Sequence, residues 1–562
     1  MHFVRINMTS QEAKIEPVPS NYAGLGGRGL TSMFLAAEVN PGCYALGEEN
    51  KVIIAPGLLT GTSAPSTGRT SIGAKSPLTG TIKESNVGGL AGQYLAGHGI
   101  KALVIEGLPQ EKHAWVLHIN GTGVKFETKD NLAGLGNYEA VEKLRAEYGD
   151  KIAVISVGPA GEAGAAIATV AVSDMEGRPA RHAGRGGMGA VLASKGIKAI
   201  VLERPDKLIV EAVHNGEFKE KAKDFAKALS ESKKGLTTYG TAMLVNAINA
   251  VGGLPTRNFS SGHNDRADDI GGEKLHQLCT ERGGSTGHAC SRGCAIRCSN
   301  IFHDAEGNYV TSGLEYETIA LLGSNCGLND LDGIARLDRL CDDLGIDTME
   351  MGVALGVAME GGALPFGDFE RMTAAVTEVA HHGSLGRILG QGATVTGRVL
   401  GVERVPAVKG QSMSAYDPRA LKGTGVTYAT STMGADHTAG NALPGRGGLK
   451  PDQVDGQVDL SRNLQIWTMV CDMLGVCIFV GPLPDNMPVF ASLASAFSGE
   501  KITEEMLIAQ ARDILKAEQA FNAEAGIGAA FNDVPGYFRT EALPNNGLVF
   551  DIPAEELKDF RY

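Results

Sequence analysis

The sequence has no long hydrophobic run. A membrane-spanning helix needs about 18 to 20 consecutive apolar residues, and the nearest approach, "EAGAAIATVAVSDM" at residues 162–175, is shorter and carries acidic residues. The opening stretch, "MHFVRINMTSQEAKIEPVPS", also lacks the apolar segment and the small-residue cleavage site of a secretory leader. We therefore expect a cytoplasmic protein with no membrane span.

The sequence also has fewer basic than acidic residues. The 51 Lys and Arg residues are outnumbered by 64 Asp and Glu residues, which gives a net charge of -13 and a pI of about 5.6. Such a surface repels phosphate backbones, so we expect no nucleic-acid partner. Hydrophobic residues at 43% and charged residues at 20% are otherwise typical of a globular protein.

The cysteines do not form an even set, as a disulfide framework would require. There are nine, and in a reducing compartment disulfides are rare, so a tight group of cysteines points to metal or redox chemistry. The isolated Cys43, Cys279 and Cys326 are most simply small apolar fillers. Glycine, in contrast, is abundant at 76 residues. Its excess among apolar segments favours close approach of the backbone to a large ligand.

The chain changes character near residue 205. Before it, short β-rich runs predominate, with one clear helix in "NYEAVEKLRAEYGD"; the runs are "KVIIAPGLL", "KALVIEG", "HAWVLHI", "KIAVISVGP" and "KAIVLE". After it, amphipathic helices predominate, such as "LDGIARLDRLCDDLG", "DFERMTAAVTEVA" and "TEEMLIAQARDILKAEQAFNAEAG". A chain this long exceeds one core. We predict an α+β multidomain fold: a β-rich domain at 1–205 and mainly α-helical domains at 206–405 and 406–562.

Three thiols lie within nine residues, in "CSRGCAIRCSN" at Cys290, Cys294 and Cys298. Soft thiolate ligands favour zinc or an iron–sulfur cluster. Structural zinc usually has a second pair of ligands, and no neat second pair follows here. A [4Fe–4S] cluster takes one thiolate per iron and tolerates a distant fourth ligand. The spacing is also close to the C-x3-C-x2-C of radical enzymes that cleave S-adenosylmethionine, which remain an alternative.

A short repeat offers the fourth ligand. "LCDDLGID" (340–347) and "VCDMLGVC" (470–477) share Cys, Asp, Leu and Gly in register, with Gly where a helix end favours a left-handed residue. The match is either chance or a pair of helix ends that face a pseudo-symmetric ligand. On the second interpretation Cys477 is the fourth cluster ligand, and the cluster lies against one half only because the first copy has Asp347 there. Cys341 and Cys471 would then lie in the core.

Longer motifs extend over the whole chain. The first part contains "GGRGL", "APGLLTGTSAPSTGR", "KSPLTG", "NVGG" and "AGRGGMGAVLASKGIKAI"; the later part contains "CAIRCSN", "LEYETIALLGSNCG", "DDLGID", "AYDPRALKGTGVTYATSTMGADH" and "DMLGVC". In this order they resemble the aldehyde ferredoxin oxidoreductase family of tungsten enzymes. Many members space the first two cluster thiols as C-x2-C, so the C-x3-C of this chain is a departure.

The resemblance implies a tungsten bis-pyranopterin cofactor, a Mg²⁺ ion that bridges the two pterin phosphates, and a [4Fe–4S] cluster alongside. It implies that the β-rich domain binds the cofactor through Arg69, Asn86, Gly88, Arg181, Ala183, Gly184 and Arg185. Such residues suit phosphate, because Arg pairs bidentately and glycine amides allow close approach. It also implies that the two helix ends hold the pterins through Asp342, Ile346, Asp347, Asp472, Val476 and Cys477. Without the family, Arg69 and Arg185 are equally consistent with solvated surface charges, and the aspartates with ordinary helix-end polar groups.

The reaction implied is the oxidation of an aldehyde with water to a carboxylic acid. Proton transfer near neutral pH suits histidine with a carboxylate partner. The motif match proposes His437 of "GADHTAG" and Glu317 of "LEYET", with Glu315 as the alternative carboxylate. No protein atom is expected to bind tungsten directly.

The motif "AYDPR" also contributes residues that we expect near the site, Tyr416 and Arg419. An equally good interpretation is that Arg419 anchors the loop through Asp417.

Two other functions stay open. Some relatives are catalytic subunits that reduce aromatic acyl-CoA rings within large complexes, and a chain of another class would be an electron-transfer subunit with a cluster and no active metal. The recognisable cysteine ligands account for one cluster only. We therefore expect ferredoxin or an iron–sulfur subunit as electron acceptor, and a homodimer or hetero-oligomer as the assembly.

Overall fold

A computed structural model describes residues 1–562. Two six-stranded mixed sheets occupy residues 2–203. The first consists of β1 (His2–Asn7), β2 (Glu12–Pro17), β3 (Val52–Pro56), β4 (Thr70–Lys75), β5 (Ile82–Val87) and β6 (Ile100–Glu106). The second consists of β7 (Trp115–Asn120), β8 (Gly123–Thr128), β9 (Ile152–Val157), β10 (Val170–Val172), β11 (Arg181–Ala183) and β12 (Ile197–Glu203).

The second sheet repeats the first. The strand order β2-β1-β6-β3-β4-β5 matches β8-β7-β12-β9-β10-β11, and each sheet has one parallel pair, β1 with β6 and β7 with β12. The sequence carries the same duplication: "NYAGLG" at 21–26 recurs as "NLAGLG" at 131–136, and "GIKALVIE" at 99–106 recurs as "GIKAIVLE" at 196–203. The sequence interpretation missed this repeat, although these matches are its direct signal.

Five helices lie within the β-rich part: α1 (Gly27–Glu38), α2 (Ala91–Gly97), α3 (Asn137–Tyr148), α4 (Pro159–Glu162) and α5 (Met188–Ser194). All five predicted β-rich runs are strands, and the predicted helix is α3. The prediction of a single helix is wrong, because α1 is an additional twelve-residue helix. Its segment "GRGLTSMFLAAE" opens with two glycines, which lower helix propensity.

The rest of the chain is mainly helical, with a small three-stranded sheet and a two-stranded hairpin. Its elements are α6 (Asn215–Ser232), α7 (Lys234–Tyr239), α8 (Leu244–Ala250), α9 (Gly272–Glu281), β13 (Ser285–His288), β14 (Ser299–His303), β15 (Tyr309–Ser312), α10 (Tyr316–Thr318), α11 (Leu331–Leu344), α12 (Thr348–Glu360), α13 (Phe369–Ala380), α14 (Ser384–Leu389), α15 (Ala393–Leu400), β16 (Ala407–Val408), β17 (Gln411–Ser412), α16 (Lys422–Thr430), α17 (Gln457–Leu474), α18 (Met487–Ser498), α19 (Glu504–Glu524), α20 (Tyr537–Thr540) and α21 (Ala554–Lys558). The predicted fold class is confirmed.

Alternate residues of β3 face two different cores. Val52 and Ile54 lie in the core between the two sheets, whereas Ile53 and Ala55 lie in a core that the first sheet shares with α1, α6 and α17–α19. A third core joins α8–α16 to the segment after α19. The first sheet is therefore fixed between the second sheet and the α17 helix. None of the helices combines the length and apolar character that crossing a membrane requires.

Candidate cofactor and active site

Helices α11 and α17 end in the same way. Each closes with a left-handed glycine, Gly345 at φ 73° and Gly475 at φ 76°. The Ile346 amide then donates to the Cys341 carbonyl at 2.8 Å, and the Val476 amide donates to the Cys471 carbonyl at 2.9 Å. This is the bonding of a Schellman motif. The repeat at 340–347 and 470–477 thus forms two matching helix ends, and Cys341 and Cys471 are fully buried, as predicted.

Each helix end packs on a glycine that follows an equivalent strand, Gly57 after β3 and Gly158 after β9. A Cβ on Gly57 would lie 2.1 Å from the Cα of Gly475, and a Cβ on Gly158 would lie 2.3 Å from the Leu344 carbonyl oxygen. Because no real Cβ atom approaches backbone so closely, only glycine permits either contact. The duplicated sheets therefore hold the two helix ends at equivalent places.

The aspartates of the two helix ends are largely buried. Burial raises the pKa of Asp342 to about 8 and that of Asp472 well above its ordinary value. Both keep a small accessible surface, 11% of the Asp342 side chain and 12% of the Asp472 side chain. A protonated carboxyl both donates and accepts hydrogen bonds, which suits the amino and ring nitrogen groups of a pterin.

Each aspartate has one basic side chain within 4.0 Å. The Asp342 Oδ1 atom lies 3.1 Å from Nε2 of His182, and the Asp472 Oδ2 atom lies 3.5 Å from Nη1 of Arg28. Burial lowers the pKa of His182 to about 4, and its Nδ1 lies 2.7 Å from the Thr169 hydroxyl. At neutral pH the His182–Asp342 contact therefore joins two uncharged groups.

After Gly345 and Gly475 the two helix ends differ. Ile346 forms a β-bridge with Ala168, and Asp347 caps α12 by accepting from the Met349 amide at 2.9 Å. Burial raises the pKa of Asp347 to about 6, and its Oδ2 atom has no hydrogen-bond partner. Cys477 occupies the equivalent position in the second half, so a thiol replaces the acid there.

The loop at 57–69, between β3 and β4, connects Cys477 to the three-thiol segment. The Cys477 amide donates to the Ser66 carbonyl at 2.9 Å, and the Ser66 amide donates to the Gly293 carbonyl at 2.9 Å. The Ser66 hydroxyl also accepts from the Ala295 amide at 3.1 Å. Ser66 thereby brings together two segments that are almost 200 residues apart in sequence.

Arg69 lies near three of the four thiols. Its Nη2 atom is 3.1 Å from the sulfur of Cys477. Although burial opposes the shift, the nearby Cys477, Cys290 and Cys298 groups raise the pKa of Arg69. The fourth thiol, Cys294, lies close enough to Cys290 that each acts on the pKa of the other, which lowers that of Cys290 and raises that of Cys294. The interpretation of Arg69 as a solvated surface charge is therefore wrong.

The four thiols do not form a site for a single metal ion, and no group of three or more His, Cys, Asp or Glu side chains in the chain does. A [4Fe–4S] cluster makes a different demand, because each thiolate binds a different iron atom. Thiols gathered near one arginine, without converging on one point, are compatible with this demand.

The remaining predicted cofactor residues lie where the two sheets meet. The end strands β5 and β11 are adjacent, and the Arg185 amide donates to the Ser85 hydroxyl at 3.2 Å. Two guanidinium nitrogens of Arg181, Nε and Nη2, are buried without a partner. A Cβ on Gly184 would meet nothing within 4 Å. Buried guanidinium nitrogens without a partner suit an anionic ligand. Along this seam lie Asn86, Gly88, Arg181, Ala183, Gly184 and Arg185.

Arg185 is not a surface charge either. Its Nη1 donates to the Ala435 carbonyl at 2.9 Å and its Nη2 to the Ser412 carbonyl at 2.7 Å. Its Nε has no hydrogen-bond partner and lies 3.5 Å from Asp347. Arg185 thus connects the sheet seam to the loop that precedes His437.

His437 and Glu317 are brought together. The Nε2 atom of His437 is 3.2 Å from Oε1 of Glu317, and its Nδ1 is 2.7 Å from the Ser414 hydroxyl. The other Glu317 oxygen accepts from the Ala415 amide at 2.7 Å. Both side chains keep 14% of their surface accessible. The ring of Tyr416 lies 5.7 Å from that of His437.

Glu315 points elsewhere. It accepts from the Thr241 hydroxyl at 2.5 Å and lies near Arg181 and Cys290, on the thiol side. Of the two carboxylates proposed from sequence, only Glu317 contacts His437. Glu317 belongs to a short helical turn that continues as a π-helix at Ile319–Gly323, a distortion often found at functional sites.

Arg419 takes the structural role considered for it. Its Nη2 pairs with Asp417 Oδ2 at 2.7 Å, its Nε lies 2.9 Å from Asp417 Oδ1, and only 1% of the side chain is exposed. Tyr416, in contrast, lies at the site.

The sequence interpretation missed a second set of buried charges beside α17. Arg28 pairs with Glu518 at 2.8 Å, and Lys83 pairs with Asp436 at 2.5 Å. Burial raises the pKa of Glu84, next to Arg28. The only sequence signal was the charge itself inside apolar segments, as in "GGRGL" and "TIKESNV".

Both parts of the chain match family models. Residues 3–204 match the N-terminal domain of aldehyde ferredoxin oxidoreductase, and residues 217–561 match its domains 2 and 3. The chain belongs to the aldehyde ferredoxin oxidoreductase family. It is accordingly an oxidoreductase of a family that uses a tungsten pterin cofactor, as the sequence motifs implied.

Two relatives share between 27% and 33% of their aligned residues with the chain. It is 33% identical to the tungsten-containing aldehyde ferredoxin oxidoreductase of Pyrococcus furiosus, over 96% of this chain and 92% of that one. It is 27% identical to the WOR-like subunit of an aliphatic sulfonate oxidoreductase from the same organism, over 75% and 72% of the two chains. A solved structure of the active-site complex of benzoyl-coenzyme A reductase matches with a TM-score of 0.79 at 18% identity, over 95% and 90% of the chains. The last match shows the fold alone.

Proposed function

We propose that this member of the aldehyde ferredoxin oxidoreductase family oxidises aldehydes to carboxylic acids. The contact between His437 and Glu317 carries this proposal, because it places an acid–base pair in an enclosed site next to the cofactor-binding residues. The similarity to relatives described as tungsten-containing aldehyde ferredoxin oxidoreductases supports it. Aldehyde and water are converted to carboxylic acid, two protons and two electrons.

The protein's own contribution is proton transfer and orientation. The hydroxyl of Ser414 contacts Nδ1 of His437, and Nε2 lies 3.2 Å from Oε1 of Glu317, which has no hydrogen-bond partner of its own. The Ala415 amide fixes the other oxygen of Glu317. Burial, followed by the charge of Glu317, raises the pKa of Tyr416 well above its ordinary value, so its hydroxyl stays protonated as a hydrogen-bond donor for a carbonyl oxygen.

The cofactor residues are proposed to act as two pseudo-symmetric halves. When bound, the tungsten bis-pyranopterin supplies the two-electron redox chemistry. Asp342, Ile346 and Asp347 would hold one pterin, and Asp472, Val476 and Cys477 would hold the other. The phosphate side and its Mg²⁺ ion would be held by the sheet residues Arg69, Asn86, Gly88, Arg181, Ala183, Gly184 and Arg185. The unpaired nitrogens of Arg181 and the unpaired oxygen of Asp347 support this assignment.

The [4Fe–4S] cluster is proposed at Cys290, Cys294, Cys298 and Cys477. The Arg69–Cys477 contact supports it, because a guanidinium stabilises thiolate charge. Electrons leave from there to ferredoxin or an iron–sulfur subunit. Domain boundaries near 205 and 405 remain part of the proposal. In their favour, β12 ends at Glu203 and α6 begins at Asn215.

One experiment separates the proposed function from ring reduction and from simple electron transfer. Anaerobically purified protein is mixed with oxidised viologen dye and a series of aliphatic and aromatic aldehydes. We expect aldehyde-dependent dye reduction and stoichiometric carboxylic acid. Reduction of an aromatic acyl-CoA by reduced dye, without any aldehyde activity, would instead support the ring reductase. Inactivity in both assays, with iron bound and no tungsten or molybdenum, would support a non-catalytic carrier.

A further inference from the structure

Cationic side chains are concentrated around the three-thiol segment, on a chain whose net charge is -13. Arg292 and Arg297 lie between the cluster cysteines in sequence, and both are exposed. Lys233 lies close enough to Cys477 and Arg446 for both to influence its pKa, which burial lowers. These side chains make the outer face of the cysteine region locally positive.

A recess continues this positive surface. It has a volume of about 300 Å³, and its walls include Arg145, Lys151, Arg204 and Arg292. Tyr94 lies between Arg204 and Arg292, since both guanidinium groups act on its pKa, which burial raises. The Gln93 side chain donates to the Arg292 carbonyl at 2.9 Å. The recess and the cysteine loop therefore form one connected surface.

Most of these cations have no acidic partner within the protein. Arg145 is the exception and pairs with Asp150 at 2.7 Å, while Glu176, also in the recess, pairs with His288 at 3.0 Å. No carboxylate oxygen lies within 4.0 Å of the charged nitrogens of the remaining five, which we call the basic rim: Lys151, Arg204, Lys233, Arg292 and Arg297. The recess is lined by four cations, Arg145 included, and by only two acids, Asp150 and Glu176. This excess of positive charge leaves a positive field for a partner.

Two members of the basic rim, Arg292 and Arg297, lie beside the more accessible thiols. Cys290 and Cys294 are half-buried, and Arg292 and Gly293 between them are exposed. The amide of Arg297, also exposed, donates to the sulfur of Cys294 at 3.3 Å. By comparison, Cys298 and Cys477 are only 6% exposed. A partner seated on this part of the rim would thus lie beside the half-buried thiols.

We propose that the basic rim is the docking surface for an acidic iron–sulfur electron carrier. This inference rests on the proposed function, because it names the site at which electrons leave. One electron passes from the reduced cluster to the oxidised cluster of the carrier, so one centre is oxidised as the other is reduced. The rim's charges are spread over four separate segments of the chain, which favours a protein surface over a single small anion.

Binding tests this without any turnover. Anaerobic holoenzyme is titrated calorimetrically with an oxidised, acidic ferredoxin at low ionic strength. We expect the double variant Lys151→Glu/Arg204→Glu, which lies away from the cysteine loop, to raise Kd at least tenfold, and Arg292→Glu to raise it several-fold. Both effects should shrink as salt is added, because rim charges are screened. The matched control is Lys125→Glu, an exposed and unpaired cation on β8, at the opposite edge of the second sheet; its Kd should stay within twofold of wild type.

A second experiment measures the rate of electron transfer to the ferredoxin. The enzyme is reduced chemically, excess reductant is removed, and the rate of ferredoxin reduction is followed by stopped-flow absorbance. We expect the rate constant to fall in parallel with affinity in the rim variants. Neither readout needs an aldehyde, so a protein that docks the carrier but fails to oxidise aldehydes would count against the proposed function alone. Wild-type affinity and rate in Lys151→Glu/Arg204→Glu and in Arg292→Glu, with iron content retained, would overturn the docking proposal. So would binding of inorganic phosphate in the recess without binding of ferredoxin.

Discussion

His437 and Glu317 form the contact on which the proposed chemistry depends most. Replacing His437 by Ala or Glu317 by Gln removes a proton acceptor and leaves the thiols and the helix ends intact. We expect turnover with aldehyde to fall at least ~100-fold in each variant, with tungsten and iron per chain unchanged. His263→Ala and Glu306→Gln make the same changes at surface positions and should keep full activity. Undiminished turnover in both site variants would refute the assignment.

Cys477 and Cys471 belong to the same helix end but are expected to differ in function. Cys477→Ser should lower the iron and labile sulfide content and remove the reduced-cluster signal in electron paramagnetic resonance, because one iron loses its thiolate. Cys471→Ala removes a fully buried thiol that faces the core and should keep the cluster. Equal iron content in the two variants would show that the fourth ligand lies elsewhere.

Asp342 makes stability depend on pH in a direction that burial fixes. Burial raises its pKa in the folded protein to about 8, above the value in the unfolded chain. The stabilisation that the bound proton provides is therefore complete below the unfolded pKa. It is lost as the pH rises from there through about 8. Between about pH 6.5 and 8, the free energy of unfolding of the cofactor-free protein should therefore fall, with a one-proton limit of about 1.4 kcal/mol per pH unit. His182, with its pKa near 4, is already neutral there in the folded state.

The variant Asp342→Asn mimics the protonated carboxyl and should have a flatter pH dependence in urea unfolding. A slope identical to that of the unaltered protein would mean that Asp342 is charged in the folded state.

At the level of elements, the contact between α17 and the end of β3 requires glycine for two reasons. Gly475 has a left-handed φ of 76°, and a Cβ there would also lie 2.9 Å from the Cα of Gly57. Gly401 ends α15 with a φ of 68° but has nothing within 4 Å of a Cβ. We expect Gly401→Ala to lose about 1 to 2 kcal/mol from backbone strain alone, and Gly475→Ala to lose about 1 to 3 kcal/mol more from the collision. Equal losses in urea unfolding would show that the helix end does not press on the sheet.

The local sequence pattern was enough to predict the elements that have a clear hydrophobic periodicity or a long apolar run. The five predicted strands and helices α3, α11, α13 and α19 were found because their composition alone distinguishes them. Strands β10 and β11 have three residues each, which is too short for any periodicity. α1 was missed because its glycines are needed for packing against the Asp472 carbonyl and Met473 rather than for helix formation.

The site was predictable only where a motif names its residues. The cysteines, Glu317 and His437 came from motifs. The structure brings His437 within 3.2 Å of Glu317 and Arg69 within 3.1 Å of the Cys477 sulfur. Ser414, Arg28 and Glu518 carry no such signal. Their proximity to the site arises from tertiary packing, as when Arg28 meets Glu518 across 490 residues. The choice between Glu315 and Glu317 was likewise a matter of which face of one helical turn points to His437.

At the scale of the whole molecule, duplication explains the site's symmetry. Two copies of one sheet hold two copies of one helix end, and the differences between copies, Asp347 against Cys477 above all, place the thiols on one side. The proposed path for electrons follows from that asymmetry, from the helix ends through Cys477 to the basic rim.

The most direct test is the elemental and pterin analysis of anaerobically purified protein. We expect about four iron and four sulfide per chain, as one [4Fe–4S] cluster requires, together with one tungsten and two pterins. Iron without tungsten or molybdenum would contradict the paired helix ends as a cofactor site, and a single pterin per metal would contradict the symmetric arrangement. Tungsten and pterin without iron would contradict the four-thiol cluster.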